Sequence, residues 1–401
     1  MAKKQGPGRR GNGAGSLIPV DGGYLARVKL PNGKYKGHRV KTKAEGQRWL
    51  TEQLHTLNIG GAIVSGKDQT VKQFLDGWLD RKRHDVEYGT WRNYRAQLAH
   101  ISAALGAVKL TRLTPVQLAD LYSELIDDGL GAAYVRNAHI TLKQALSNAE
   151  DLELVARNVA ARVKAPRALP PDKRALTYDQ LQALLAAARA EDDRLYALWL
   201  LLATTGMRQG EARALRWHDL DLAAGAVTIN GTMKEAGPGV TNGRSRYIIG
   251  KPKTRASRRV IKLRPLMVEA LHAHRARQAQ EKLQSGLGDA WGALAPARDL
   301  VFTTVHGSPL DGSALGKDHF APLLSRAEVS HADLIRPHSL RHTYATLALL
   351  AGEPLHVVSA TLGHASPAIT LQVYAHIQPT MPRKQAEALR RDFLAVVASA
   401  A

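Results

Sequence analysis

The 401-residue chain carries 56 Lys and Arg against 35 Asp and Glu, a formal charge of +21, and no cysteine. A positive excess of that size points to a polyanionic partner, and the missing thiols exclude a disulfide framework and thiolate chemistry. No run of eighteen apolar residues occurs, and MAKKQGPGRR lacks the apolar core of an export signal; this excludes a membrane span and predicts a cytoplasmic protein, long enough for two or three domains.

Residues 1 to about 14 are Gly-rich and basic, a composition that stays disordered until it meets a partner. Within them Gly6-Pro7-Gly8-Arg9-Arg10-Gly11 fits G-x-G-x-x-G, but no strand precedes it and no helix follows, so it is not a dinucleotide site. From Ser16 apolar and polar residues alternate through SLIPV, GYLARVKL and YKGHRVKT, broken by turn signals at Asp21-Gly22-Gly23 and Pro31-Asn32-Gly33-Lys34. Three strands followed by a helix from Ala44 to Leu57 make a small module, and residues 1–60 hold 12 Lys and Arg against 3 Asp and Glu. Its basic residues Arg27, Lys29, Arg39 and Lys41 are candidate contacts for the polyanionic partner. The plainer reading is a solvated basic sheet with no sequence preference.

Asn58 to Asp68 reads as a linker into a helical block, with helices near 71–83, 90–104, 115–128 and 132–150. Thr70-x-x-Gln73 and Thr114-Pro115-Val116-Gln117 are capping boxes, the second with proline at the first helical position. Phe74, Leu75, Trp78 and Leu79 form a core stripe, while Arg81, Lys82, Arg83, Arg92 and Arg95 are left for solvent or phosphate. The proline-rich stretch Ala165 to Lys173 is an interdomain linker. Another capping box, Thr177 to Gln180, opens the last and largest region. It is mostly helical, interrupted by a basic hairpin-like region whose strands read AVTIN, RYIIG and RRVIKL and which contains Lys253-Thr254. Lys234 to Arg244 is Gly-rich and predicted to be a mobile loop. The tail from Pro382 to Val397 is amphipathic, with Ala386, Leu389, Phe393 and Val396 on one stripe. The predicted fold is therefore mainly α with small β-sheets (α+β), in three modules spanning 1–60, 69–164 and 174–401.

Chemistry concentrates in residues 336–376, RPHSLRHTYATLALLAGEPLHVVSATLGHASPAITLQVYAH. His338 and Arg341 are three apart in a helix-compatible run, a phosphate-binding fork beside a proton carrier. Pro354 to Leu362 has helical spacing and stops at Gly363, placing His364 just past a helix end. Tyr374 follows in a short segment that Pro367 can start; its hydroxyl is a poor nucleophile unless cations assist it. Upstream, Arg208 follows the apolar run LYALWLLLATT, with Glu211 three residues on to hold it. Singly, each has a plain explanation: Arg208 and Glu211 a surface ion pair, Tyr374 a core tyrosine, Lys253 one more basic surface residue. His338 and His342, four apart, do not make a zinc site, because the metalloprotease pattern needs a Glu where Ser339 stands.

Jointly, Arg208-x-x-Glu211, Lys253-Thr254, His338-x-x-Arg341, Leu362-Gly363-His364 and Tyr374 resemble the catalytic set of the tyrosine recombinase, or phage integrase, family over about residues 175 to 380. The resemblance implies that Tyr374 attacks a scissile phosphate to form a 3'-phosphotyrosyl link, which a free 5'-hydroxyl reverses. Arg208 and Arg341 then hold the phosphate, Lys253 protonates the leaving oxygen, His338 accepts the tyrosine proton, His364 donates to a phosphate oxygen and Glu211 orients its neighbours. The stretch from Asp219 to Lys253 exceeds a minimal hairpin, which leaves Lys251 as a competitor for the lysine. The same resemblance makes residues 1–60 an arm-binding domain and 69–164 a core-binding, SAM-like domain. The partners implied are double-stranded DNA at core and arm attachment sites, a homotetramer on DNA, and an accessory bending or directionality factor. No metal, ATP or other cofactor is implied, and no Walker loop is present. In family members the C-terminal segment often packs on a neighbouring subunit; docking on its own subunit is the alternative. A type IB topoisomerase uses a similar constellation, and a regulator that only binds DNA is the non-enzymatic alternative.

Overall fold

A computed structural model describes residues 15–29, 35–58, 69–168, 174–241, 245–251, 255–364, 366–374, 381–394 and 396–397. The chain divides into two compact units, 1–169 and 170–401.

In the first unit, strands β1 (Ser16–Val20), β2 (Gly23–Lys29) and β3 (Tyr35–Val40) form an antiparallel meander, followed by helix α1 (Lys43–Asn58). Because side chains alternate along a strand, the sheet has two chemically distinct faces. Ala26 and Val28 are buried with Leu50 of α1, and Leu17, Trp49 and Leu54 pack around them. The register pairs Leu25 with Arg39, Arg27 with Gly37 and Lys29 with Tyr35, which puts those residues on the opposite face.

A four-helix bundle follows, with α2 (Val71–Asp85), α3 (Tyr88–Leu105), α4 (Pro115–Asp127) and α5 (Ala132–Asp151). Its starts are chemically encoded: Thr70 and Thr114 each accept from the backbone of the Gln three residues on, while that Gln side chain returns the bond. Phe74, Leu75, Trp78, Leu98, Ile101, Leu118, Leu142 and Leu146 fill the core. The polar pair inside it is His139 and Tyr122, with Nδ1 3.2 Å from the phenol oxygen. Burial raises the Tyr122 hydroxyl and lowers the His139 imidazole, so both stay neutral.

The second unit opens with α6 (Tyr178–Ala190), capped by Thr177 and Gln180, and α7 (Tyr196–Thr205), apolar on every side and buried from Ala197 to Thr205. The short α8 (Gln209–Arg213) leads to a sheet in the order β4 (Leu220–Asp221), β5 (Ala226–Ile229), β8 (Arg259–Lys262), β9 (Val396–Val397), all antiparallel. A separate hairpin pairs β6 (Thr232–Glu235) with β7 (Tyr247–Gly250). The predicted strand RYIIG thus pairs with a strand the sequence reading assigned partly to a loop: Lys234 and Glu235 belong to β6, whose inward Met233 supplies the burial that a Gly-rich loop lacks. Helices α9 (Pro265–Gln284), α10 (Gly312–Ala314), α11 (Ala321–Arg326), α12 (Ser339–Leu350), α13 (Leu355–Leu362), α14 (Pro367–Tyr374) and α15 (Arg383–Asp392) complete the fold. The tail docks on its own unit: Ala386, Leu389 and Phe393 are buried, and Ile261 and Lys262 of β8 pair with Val397 and Val396. Among the described residues, no helix is long and apolar enough to cross a membrane.

Candidate active site

Two left-handed glycines shape the site. Gly206 ends α7 at φ 60°, and a side chain there would strike Tyr344 and Leu362 at under 3 Å. Gly363 ends α13 at φ 67°, where a Cβ would meet the Arg259 guanidinium at 2.8 Å. Both turns leave helix-terminal carbonyls without helical partners, and arginines take them. Arg259 Nε donates to Thr361 O at 2.6 Å, Arg341 Nη1 to Leu362 O and Gly206 O at 2.8 Å each, and Arg208 Nη2 to Gly363 O at 3.4 Å. Three consecutive carbonyls at the C-terminus of α13, the negative end of its dipole, thereby collect three cations.

Glu211 is the anionic hub. Its carboxylate accepts from Arg208 N and Nη1 at 2.9 Å and from Arg259 Nη2 at 3.0 Å, and its side chain is 3% exposed. Burial alone raises this carboxyl, but Arg259 and Arg208 outweigh it and hold it below the ordinary value. Arg259 was missed by the sequence reading. A signal was present: in RRVIKL, Arg259 alternates in phase with the apolar Ile261, so one of the basic residues faces inward.

Arg341 is 5% exposed, and burial together with Arg208 pushes its guanidinium down to about 9. Its Nη2 is buried with no partner among the described residues. Buried donors are nearly always paired, so this one, beside the half-exposed Arg208, is suited to an incoming oxyanion. His364 follows Gly363 and has Nδ1 2.7 Å from Thr370 Oγ1. Burial, then Arg341 and Arg208, pushes its imidazole down to about 4, so it is neutral at physiological pH.

Tyr374 lies at the end of α14, 6% exposed, with its hydroxyl pushed up to about 12 by burial, against which Arg341 works. The side chain that meets this hydroxyl is His342, whose Nδ1 lies 2.6 Å away. His338, the residue marked in the sequence for that contact, is exposed at the N-terminus of α12, its ring edge-on to His342 with centroids 5.2 Å apart. The helical offset of four between these histidines was legible, but not which of them the tyrosine meets. The structure therefore brings Arg208, Glu211, Arg341, His364 and Tyr374 together and adds Arg259, His342 and Thr370. Lys253 lies outside the described residues; Lys251 is exposed just past β7.

Elsewhere, Lys29, Arg39 and Lys41 are exposed, and the Arg27 guanidinium lies over the Tyr35 ring at 4.6 Å. In the bundle Arg81, Arg83, Arg92 and Arg95 are exposed, with Arg83 and Arg95 over the Trp91 ring at 6.0 and 5.6 Å.

The profile of the phage integrase family matches residues 174–381, and that of the phage integrase N-terminal SAM-like domain matches residues 70–126. An integrase of Streptomyces ambofaciens is 32% identical over 88% of this chain and 88% of its own. A tyrosine recombinase XerC-like protein of Caldanaerobacter subterraneus subsp. tengcongensis is 29% identical over 88% and 91%. The integrase of transposon Tn1549, solved in complex with transposon right end DNA, shares the fold at a TM-score of 0.61 and 22% identity, covering 80% of this chain and 99% of its own. With more than half of its length matched by that family's profile, the chain belongs to the phage integrase family: it is a tyrosine recombinase, an enzyme that breaks and rejoins DNA.

Proposed function

We propose that this recombinase integrates and excises a mobile element at specific sites, with Tyr374 as its nucleophile and the end of α13 as its phosphate cradle. The observation that carries the reading is the buried Nη2 of Arg341, without a partner among the described residues, set beside Arg208 and His364 on the carbonyl-anchored turn at Gly363. Tyr374 Oη attacks phosphorus, the bond to the 5'-oxygen breaks, and the phosphate is kept as a 3'-phosphotyrosyl ester that a partner strand's 5'-hydroxyl reopens. The bond energy is conserved in that ester, so no nucleotide is consumed. His342 takes the tyrosine proton, a role supported by its 2.6 Å contact. His338, exposed beside it, contacts the phosphate. Arg208, Arg341 and His364 stabilise the developing charge as donors already in place before the substrate arrives. Lys253, or Lys251 just past β7, protonates the leaving 5'-oxygen. Glu211 and Arg259 fix the arginines.

Residues 69–164 grip the core site through the Arg83, Arg95 and Trp91 face, and residues 1–60 read arm sites through the face bearing Arg27, Lys29, Arg39 and Lys41. Exchange between two duplexes needs a nucleophile for each of four strands, hence four copies on DNA, with an accessory factor choosing direction. The reaction takes place in the cytoplasm, on nucleoid DNA.

The test is a suicide-substrate assay with nicked duplexes tiled across the DNA flanking the gene. Wild type is expected to yield a covalent protein–DNA adduct on a denaturing gel and Tyr374→Phe none. An adduct that persists in Tyr374→Phe moves the nucleophile elsewhere.

A further inference from the structure

We propose that Thr370 is a positioning residue for the phosphate donor: its hydroxyl donates to His364 Nδ1 and holds the ring in the tautomer whose proton sits on Nε2. This rests on reading His364 as a ligand of the scissile phosphate.

The contact is 2.7 Å, and Thr370 is fully buried. Buried helical threonines in this unit otherwise turn back on their own helix: Thr204, Thr205, Thr343 and Thr361 each donate to the carbonyl four residues earlier, at 2.6 to 2.9 Å. Thr370, on α14, makes no such bond; among the described residues its partner is the His364 ring.

Which group donates follows from what each arrangement leaves unpaired. If Nδ1 carried the proton, Thr370 would accept it, and its own hydroxyl hydrogen, sealed from water, would have no acceptor. A buried donor without a partner carries the full desolvation penalty of that group. Nε2 would then also turn a lone pair toward phosphate oxygens, repelling the group it is meant to hold. With the proton on Nε2, Thr370 donates to Nδ1, no buried polar atom of the pair is stranded, and an N–H remains for the phosphate. A doubly protonated ring would also offer Nε2–H, but burial and the neighbouring Arg341 and Arg208 disfavour that form. Thr370 also stands one helical turn before Tyr374 on α14, so the same bond fastens the nucleophile's helix to the Gly363–His364 turn.

The experiment uses the full chain and a nicked duplex, from the tiled set, that wild type cleaves. Thr370→Val keeps the shape and removes the donor; Thr370→Ser keeps the donor. Since losing one oxyanion donor outright costs about two to three decades, freeing its tautomer in Thr370→Val is expected to slow single-turnover cleavage roughly ten- to a hundredfold. Thr370→Ser is expected to remain close to wild type. In a His364→Ala background, Thr370→Val is expected to add nothing, because it acts through that ring. In 15N spectra of histidine-labelled free protein, His364 is expected as the Nε2–H tautomer in wild type and as a mixture in Thr370→Val. Wild-type cleavage by Thr370→Val, an undiminished effect of it without His364, or an Nδ1–H tautomer in wild type overturns the proposal while leaving His364 in place. Normal cleavage by His364→Ala instead removes the phosphate-ligand reading, and this proposal with it.

Discussion

The helical bundle and the phosphate cradle handle charge in opposite ways. In the bundle, arginines stay outside: Arg81, Arg83, Arg92 and Arg95 are exposed, and the core holds aliphatic and aromatic groups with one neutral His–Tyr pair. In the second unit, Glu211, Arg213, Asp219, Arg259 and Arg341 are all buried. A surface that only grips DNA can leave its cations hydrated, since counterion release supplies the affinity. A surface that must stabilise charge at the instant of bond breaking gains from cations desolvated and fixed beforehand. Burying them costs stability unless carbonyls and carboxylates satisfy them, which Thr361 and Glu211 do for Arg259, and Gly206 and Leu362 do in part for Arg341.

The largest expected effect breaks the contrast at Arg341. Arg341→Met should slow cleavage at least about a thousandfold, beyond the loss of a neutral donor, and lower thermal stability only modestly, because the Gly206 and Leu362 carbonyls lose their donor while a desolvated cation is removed. Marked destabilisation measured by calorimetry would show that Arg341 holds the fold rather than the phosphate. Next, Glu211→Gln should cost about 3–5 kcal/mol in denaturant titration, since it leaves Arg259 buried without its counter-charge. A loss below about 1 kcal/mol would show that the carbonyl bonds suffice without the anion.

The helix starts were legible because a capping box is a local device, complete within four residues: Thr70, Thr114 and Thr177 behave as written. The cluster of Arg208, Arg341, His364 and Tyr374 was legible from spacing and residue type. What a string does not carry is which partner a side chain meets across the fold. Tyr374 meets His342, 32 residues away, and Thr361 O meets Arg259, 102 residues away. The strand β6 escaped because its four residues show one inward apolar side chain, Met233, too short a pattern to alternate.

A smaller effect separates the two units by pH. Burial depresses His274 and His364 in the catalytic unit and His139 in the bundle. Each of these binds its proton more readily when unfolded, so the stability it contributes is present above the ordinary histidine value of about 6.5 and lost as pH falls toward the folded values. For His364 that window runs from 6.5 down to about 4. With two such groups against one among the described residues, the catalytic unit should weaken first on acidification, read by hydrogen exchange at pH 7 and pH 5. Earlier loss of protection in the bundle would contradict this.

The smallest effects fall on the gripping surfaces. Arg95→Ala should lower the salt-dependence slope of core-site binding by about 0.9, the share of one phosphate, without changing cleavage at saturation. Arg39→Ala should weaken assembly on DNA that carries arm sites and leave cleavage of an isolated core site intact. A change in the saturated cleavage rate in either variant would erase the division between gripping and cutting.

The bonds that build the cradle span the sequence widely: Arg208 waits for Gly363, 155 residues later, and Gly206 for Arg341, 135 later. Such distant closures come late in folding. On the ribosome, the bundle is therefore complete long before the turn at Gly363 and the arginines around it come together. Under the proposed division between gripping and cutting, a chain cut short before Gly363 would hold its site without cutting it, which makes truncated products competitors of the full enzyme rather than weak copies of it.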